Sequence, residues 1–283
     1  MTAFFIIPSG QPPADALALR MKFWTDIRPA TGALAALVWF LAVGAAAETT
    51  NTLSDAEIQG RQLAQQLCDA RPIESFTNTG VLKIRNANGI KSEIPIKIET
   101  LVTPTNWSSI YELSSANIVS NTLTPKRLVV LHDTSNSNQY RLTFSSGDKQ
   151  WTKDRSDIVA ILGFAGDFSV ADLGLEFFHW PQQKVLKKEV KRSQGCTVLE
   201  STNPNSPDDK TVPPIRYSRV VSWIDGESGG IVQAEAYDAQ GKLLKEFAPK
   251  SFKKVNGQWE LQEMEIRNVQ TGSRTRLEFD LTK

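Results

Sequence analysis

Hydrophobic and polar residues alternate with a period of two over much of this 283-residue chain. Ile90, Ile94, Ile96 and Ile98 are interleaved with Lys91, Glu93, Lys97 and Glu99. That alternation predicts a strand with one face buried and the other in water. Pro95 falls on the polar set and predicts an edge or a bulge, because proline cannot donate to a ladder. Further strands are predicted at Trp107–Leu113, Lys126–Asp133, Gln139–Phe144 and around Trp151. After an interruption they resume at Lys184–Arg192, Cys196–Ser201, Arg216–Asp225, Ile231–Ala239, Lys242–Phe247, Phe252–Val255, Trp259–Val269 and Ser273–Leu281. In the last of these, Thr275, Leu277, Phe279 and Leu281 share one face; Arg274, Arg276, Glu278 and Asp280 share the other. Asn256-Gly257 marks a hairpin, and Asp225-Gly226 and Thr271-Gly272 mark two more turns. The Pro- and Asn-rich stretch Asn203–Pro214 reads as a loop.

Two regions depart from this period. Leu53–Ala70 predicts a helix: Ser54 is an N-cap, Glu57 completes a capping box, and Ile58, Leu63, Ala64 and Leu67 form an apolar stripe. Ser156–Phe164 and Ser169–Phe178 predict two short helices opened by serine caps, with Pro181 closing the second. Their apolar residues, among them Ile158, Ile161, Leu162, Phe164, Phe168, Leu173, Phe177 and Phe178, are too many for a surface pair. They must cover something, either as a lid over a cavity or as a static plug of the core. About a dozen hairpin-linked strands with these helices predict a mainly β (α+β) fold built on one antiparallel sheet that curls.

Composition narrows the chemistry. A net charge of +1 gives no nucleic-acid footprint. Two histidines and two cysteines are the whole supply. His132 and His179 lie in unrelated segments without metal-ligand spacing, so no metal or other cofactor is expected. His132–Asp133 with a nearby serine lacks a Gly-x-Ser-x-Gly elbow. No phosphate loop or dinucleotide fingerprint occurs, and no enzyme is predicted. Lys184, Lys187, Lys188, Lys191 and Arg192 read either as a solvated sheet face or as a dock for anionic partners. Trp107, Trp151, Trp180, Trp223 and Trp259 read as pocket lining or as core and rim packing.

The N-terminus suggests export. Residues 1–47 are expected to be an upstream extension plus a signal peptide, with the true start at Met21. Lys22 and Arg28 supply the charged region, Ala33–Val43 the apolar region, and Ala45-Ala46-Ala47 the cleavage site. The alternative is an uncleaved inner-membrane anchor. Residues 48–283 would then form one domain in an oxidising compartment, where Cys68 and Cys196 are either a disulfide pair or two buried thiols.

One block carries a family resemblance. It comprises DFSVADLGLEFFHWP at Asp167–Pro181, CTVLES at Cys196–Ser201, and YSRVVSWIDGESGGIVQAEAYDAQGKLLKEF at Tyr217–Phe247. The Met-Glu-Ile-Arg-Asn and Thr-Gly-Ser-Arg-Thr runs within Trp259–Phe279 belong to the same block. It resembles the outer-membrane lipoprotein-sorting proteins of the LolA-like superfamily, from about Asp154 to the C-terminus. The resemblance implies a curved sheet forming an incomplete β-barrel with a helical lid. It implies a periplasmic monomer that holds lipoprotein acyl chains or other lipid, with an inner-membrane transporter or outer-membrane acceptor as partner. The residues expected to form the cavity and lid are Ile161, Leu162, Phe164, Phe168, Leu173, Phe177, Trp223, Leu277 and Phe279. Arg219 and Arg276 are candidates for the sheet arginine that holds the lid in this family. The alternative is an envelope regulatory or assembly module with the same fold that binds a protein partner.

Overall fold

The computed structural model describes residues 53–114, 124–132, 137–146, 149–154, 163–204, 217–255 and 257–281. The expected extension, signal peptide and start at Met21 lie outside the described residues, as do Ile158, Ile161, Leu162 and Asp133.

The chain enters through α1 (Asp55–Asp69). The Ser54 hydroxyl accepts from the Glu57 N–H, and the Glu57 carboxylate accepts from the Ser54 N–H, completing the expected capping box. Six strands follow: β1 (Phe76–Arg85), β2 (Lys91–Val102), β3 (Trp107–Leu113), β4 (Thr124–His132), β5 (Gln139–Ser146) and β6 (Lys149–Asp154). The insert comes next, with β7 (Gly163–Ala165), β8 (Phe168–Ser169), α2 (Val170–Gly174) and a 3-10 turn at Glu176–His179. Seven strands complete the chain: β9 (Gln182–Lys191), β10 (Gln194–Thr202), β11 (Arg219–Asp225), β12 (Ile231–Tyr237), β13 (Leu243–Val255), β14 (Gln258–Asn268) and β15 (Arg274–Phe279).

Among the described residues, thirteen strands form one curved antiparallel sheet in the order β6-β5-β4-β3-β2-β1-β15-β14-β13-β12-β11-β10-β9. The chain steps out to the β6 edge, crosses to the β9 edge, and steps back until β15 pairs with β1. The sheet stays open, and the insert is the segment that makes the crossing. This topology lays the insert over the concave face, where it packs into the main core.

Burial follows the alternation. Leu82, Ile96, Ile98, Leu277 and Phe279 line the concave face, while Lys83, Lys97, Arg276 and Glu278 turn away. The β2–β3 register runs from Ile96 to Val102, and just beyond it the Ser114 N–H donates to the Pro95 carbonyl at 3.0 Å. The two strands expected at Lys242–Phe247 and Phe252–Val255 are one strand, β13, with register shifts on either side of Ser251. α1 lies against β9. At Gly60 an added Cβ would sit 2.5 Å from the Lys184 backbone nitrogen, so only glycine allows this approach. Ile58, expected in the apolar stripe of α1, is exposed instead.

Candidate functional site

The site is the concave apolar face together with the insert that covers it. Phe164, Phe168, Leu173, Phe177 and Phe178 of the insert are all buried and join Leu82, Leu128, Leu142, Leu199, Met264, Leu277 and Phe279 of the sheet in one cluster. Phe164 meets Tyr111 edge-on, with ring centroids 6.3 Å apart. Phe164 lies in β7, although a helix was expected to run through it. Gly163–Ala165 pairs with Phe168–Ser169, and the positive φ of Gly166 turns the chain between them.

The second expected helix is real but divided. The Ser169 hydroxyl accepts from the Asp172 N–H to cap α2, and the helix ends at Leu175, whose φ of 51° begins the 3-10 turn. A left-handed leucine carries a strain of roughly 1–2 kcal/mol. Contacts from both arms of the sheet hold the segment down. On one arm, the Tyr111 hydroxyl donates to the Leu173 carbonyl at 3.3 Å, and the Asn138 side chain donates to the Gly174 carbonyl at 2.7 Å. The Tyr140 hydroxyl donates to Glu176 at 2.6 Å. On the other arm, Lys245 donates to the Asp167 carbonyl at 2.6 Å and to Asp172 Oδ2 at 3.1 Å, and the Tyr217 hydroxyl donates to Asp172 Oδ1 at 2.7 Å. Thr275 of β15 and Ser273, just before that strand, bind Asp167. Gln183 donates to the Phe177 and Trp180 carbonyls.

The lid is therefore held by a lysine, and neither candidate arginine reaches it. Arg219 pairs with Glu200 at 2.9 Å and stacks on Tyr237; Arg276 pairs with Glu265 at 2.6 Å. Both alternate with concave-face residues and so point outward.

Trp223, expected among the cavity residues, does not line the concave face. It lies on the outer face in a second small cluster with Cys196, Val198, Val221 and Val232. Its Nε1 donates to Glu189 at 2.6 Å, and Lys191 sits over its ring. β11 is buried on both faces, so alternation could not tell its two sides apart. Lys187 pairs with Glu189 on the same outer face, and Lys184 and Lys188 are exposed. Trp107 stacks on His132 with centroids 3.7 Å apart, and Trp180 joins the lid core. Trp259 is exposed.

The two cysteines are free. Cys68 is on α1, whose Ala64 belongs to the concave cluster; Cys196 belongs to the outer cluster. The sheet stands between them, which rules out the bridge considered from sequence.

Among the described residues, one cavity lies beneath the seated insert and is small. The cavity beneath it measures about 30 Å³ and is lined by Phe168, Asp172, Leu175, Phe177, Tyr217 and Lys245 among others. That is room for a water or two and for no acyl chain. A wider, open cleft of about 490 Å³ lies between α1 and the 3-10 turn, lined by Arg61, Cys68, His179 and Gln183 among others.

Neither histidine contact among the described residues is primed as a nucleophile–base pair. Ser109 bonds His132 at 3.1 Å, but Ser109 is buried, and burial pushes the imidazole down to about 3. Such an imidazole is a weak base near neutral pH. Cys68 lies 3.7 Å from His179, yet burial, with Asp69 and Glu176 adding to it, pushes the thiol up to about 12. A thiol held neutral is a poor nucleophile. Among the described residues no three His, Cys, Asp or Glu side chains are placed to hold a metal. Among the same residues no helix is long and apolar enough to cross a membrane.

An open antiparallel sheet whose concave face is covered by a crossing insert defines the LolA-like fold, and this chain has it. Solved structures agree. An outer membrane lipoprotein-sorting protein domain from Vibrio parahaemolyticus matches with a TM-score of 0.61 and 21% identity, over 79% of this chain and 91% of that one. A DUF1329 family protein from Desulfovibrio piger matches with a TM-score of 0.60 and 18% identity, over 80% and 92%. A LolA superfamily protein from Nitrosomonas europaea matches with a TM-score of 0.53 and 14% identity, over 80% and 92%. A family model described as "-like: Uncharacterized protein" matches residues 164–283. No curated protein matches the chain.

Proposed function

We propose that this protein is a periplasmic, non-enzymatic carrier or binder of acylated ligands, in the manner of lipoprotein sorting to the outer membrane, and that it acts as a monomer. The observation that carries the reading is the seated insert. The insert packs its apolar residues into the concave-face core, while polar contacts, among them those to Asp172 and Glu176, hold it there. A buried ion pair adds little net stability over apolar packing, so its place at that seam is consistent with a contact that can be released.

Magnitudes constrain the ligand. Exposing Phe164, Phe168, Leu173, Phe177 and Phe178 costs on the order of 10 kcal/mol, at roughly 1.5–3 kcal/mol each. An acyl chain recovers about 0.8 kcal/mol per methylene. One chain of about a dozen methylenes balances the lid, and a multiply acylated ligand wins clearly. Binding would therefore displace the lid, and reseating it would drive release to an acceptor.

The test is native mass spectrometry of the lipid-extracted full chain, before and after incubation with a triacylated lipopeptide. Uptake of the lipopeptide mass, lost in folded Phe164→Asp and Leu277→Lys proteins, supports a cavity. A wild-type mass that never shifts, or uptake retained by both variants, sinks it. The nearly filled cavity favours a second reading, in which the closed domain binds an envelope protein through its surface. An unshifted wild-type mass would direct the search there.

A further inference from the structure

On the outer face, the ends of β2, β1, β15 and β14 bring four cations into one row. Lys91 stands opposite Arg85, Arg85 opposite Arg274, and Arg274 opposite Arg267. Like charges directly opposite on neighbouring strands destabilise a sheet. The next row on the same face shows the usual remedy. There Glu93, Lys83, Arg276 and Glu265 carry two charges of each sign, and Lys83 and Arg276, though opposite each other, each have a carboxylate partner, Glu278 for Lys83 and Glu265 for Arg276. In the cationic row only Arg267 has a carboxylate, Glu246. Lys91, Arg85 and Arg274 make no ion pair among the described residues. They line an open groove of about 240 Å³ together with Lys83, Glu93 and Arg276.

We propose that this row docks the protein on an anionic lipid surface, with headgroup phosphates supplying the charge that the sheet leaves out. Strands lie about 4.8 Å apart, so four of them present a cationic line about 14 Å long on the outer face. That span suits an array of headgroups better than a single small anion. The turns at the same strand ends add an apolar edge. Ile90 is 64% exposed directly before Lys91, and Val269 is 38% exposed after β14. Cations beside exposed apolar side chains are the composition that seats a protein in a headgroup layer. The inference does not depend on acyl-chain binding by the concave face.

The experiment is vesicle flotation of the full chain with mixed phosphatidylglycerol–phosphatidylcholine vesicles and with phosphatidylcholine alone. Every variant keeps the same N-terminal region, so only differences between variants are read. Wild type should prefer the anionic vesicles and lose that preference in high salt. The double substitution Arg85→Glu, Arg274→Glu should weaken binding by about tenfold or more. Lys254→Glu, an exposed reversal elsewhere on the sheet, should leave it unchanged. Arg85→Gln should hold or raise the melting temperature, because it removes a repulsion. Equal binding to both vesicle types, or binding indifferent to the double reversal, overturns the proposal. So does a marked loss of stability in Arg85→Gln, which would mean the row is already balanced. Binding of polyglutamate that depends on Arg85 and Arg274, without any vesicle preference, would overturn it in favour of an acidic protein partner.

Discussion

The Lys245 Nζ lies 3.1 Å from Asp172 Oδ2, and the two side chains are only 7% and 11% exposed. One charge belongs to the sheet and the other to α2, so the pair joins the lid to the wall it covers. Asp172 also accepts from the Ser169 hydroxyl and the Tyr217 hydroxyl, which leaves its carboxylate fully engaged. Breaking a buried pair from one side strands the other charge, at a cost of about 3–5 kcal/mol. Lys245→Ala should therefore lower the free energy of urea unfolding by about that much. The double variant Lys245→Met, Asp172→Asn should recover most of the loss, since no charge is left unpaired. A single variant as stable as wild type would show that the pair does not hold the lid.

Glu176 gives the lid a dependence on pH. Burial raises its carboxyl to about 7 from an ordinary 4.5, against the hydrogen bond from Tyr140, which lowers it. The folded state thus binds the proton more tightly than the unfolded state does. The resulting stability is present in full below the unfolded value and is lost as pH rises through about 7. The total is at most about 3 kcal/mol. Wild-type melting temperature should fall between pH 5 and pH 8. Glu176→Gln should flatten that fall and protect residues 170–179 from hydrogen exchange at the upper end. Parallel pH profiles for the two proteins would remove Glu176 from the account.

The close approach at Gly174 can be tested by adding one methyl group. A Cβ there would lie 2.2 Å from the Tyr140 hydroxyl oxygen and 2.7 Å from its ring. Tyr140 is buried, and its hydroxyl binds both Glu176 and Asn138. Gly174→Ala must displace it, with a cost of roughly 1–3 kcal/mol for overpacking. Tyr140→Phe in the same background should not restore the loss, because the ring also blocks the methyl. Urea titration of wild type, Gly174→Ala and the double variant checks this, and a Gly174→Ala protein as stable as wild type would refute the close approach.

Much of the sheet was legible because its strands have one dry and one wet face. β2 and β15 read correctly to within a few residues, and the capping box of α1 was plain from Ser54 and Glu57. The apolar load of the insert was equally plain, and its place over the concave face follows from the crossing between β6 and β9. Legibility failed where both faces are buried. β11 gave no contrast between Ile224 and Trp223, so Trp223 was assigned to the wrong side. Three-residue β7 is too short to show any period. Lys245 could have been found. It shares a strand face with Phe247 two positions on, and both are buried. A lysine on an apolar face needs a buried partner, and Asp172 on the lid is that partner.

The thiols provide the last test, because the sheet separates them. Cys196 packs with Trp223 on the outer face, and Cys68 faces His179 beside the lid. No local breathing brings the two sulfurs together, since the thirteen-stranded sheet would have to open first. Protein purified without reductant should therefore show two reactive thiols per chain in denaturant, and the same melting temperature with or without dithiothreitol. In the folded state both should react slowly, because each is shielded and burial raises the Cys68 thiol to about 12 and that of Cys196 above its ordinary value. Cys68 should accelerate under any treatment that loosens the insert, including Lys245→Ala, while Cys196 stays slow. A thiol count of zero with a reductant-sensitive melt would mean a bridge, and would require α1 to lie on the other side of the sheet.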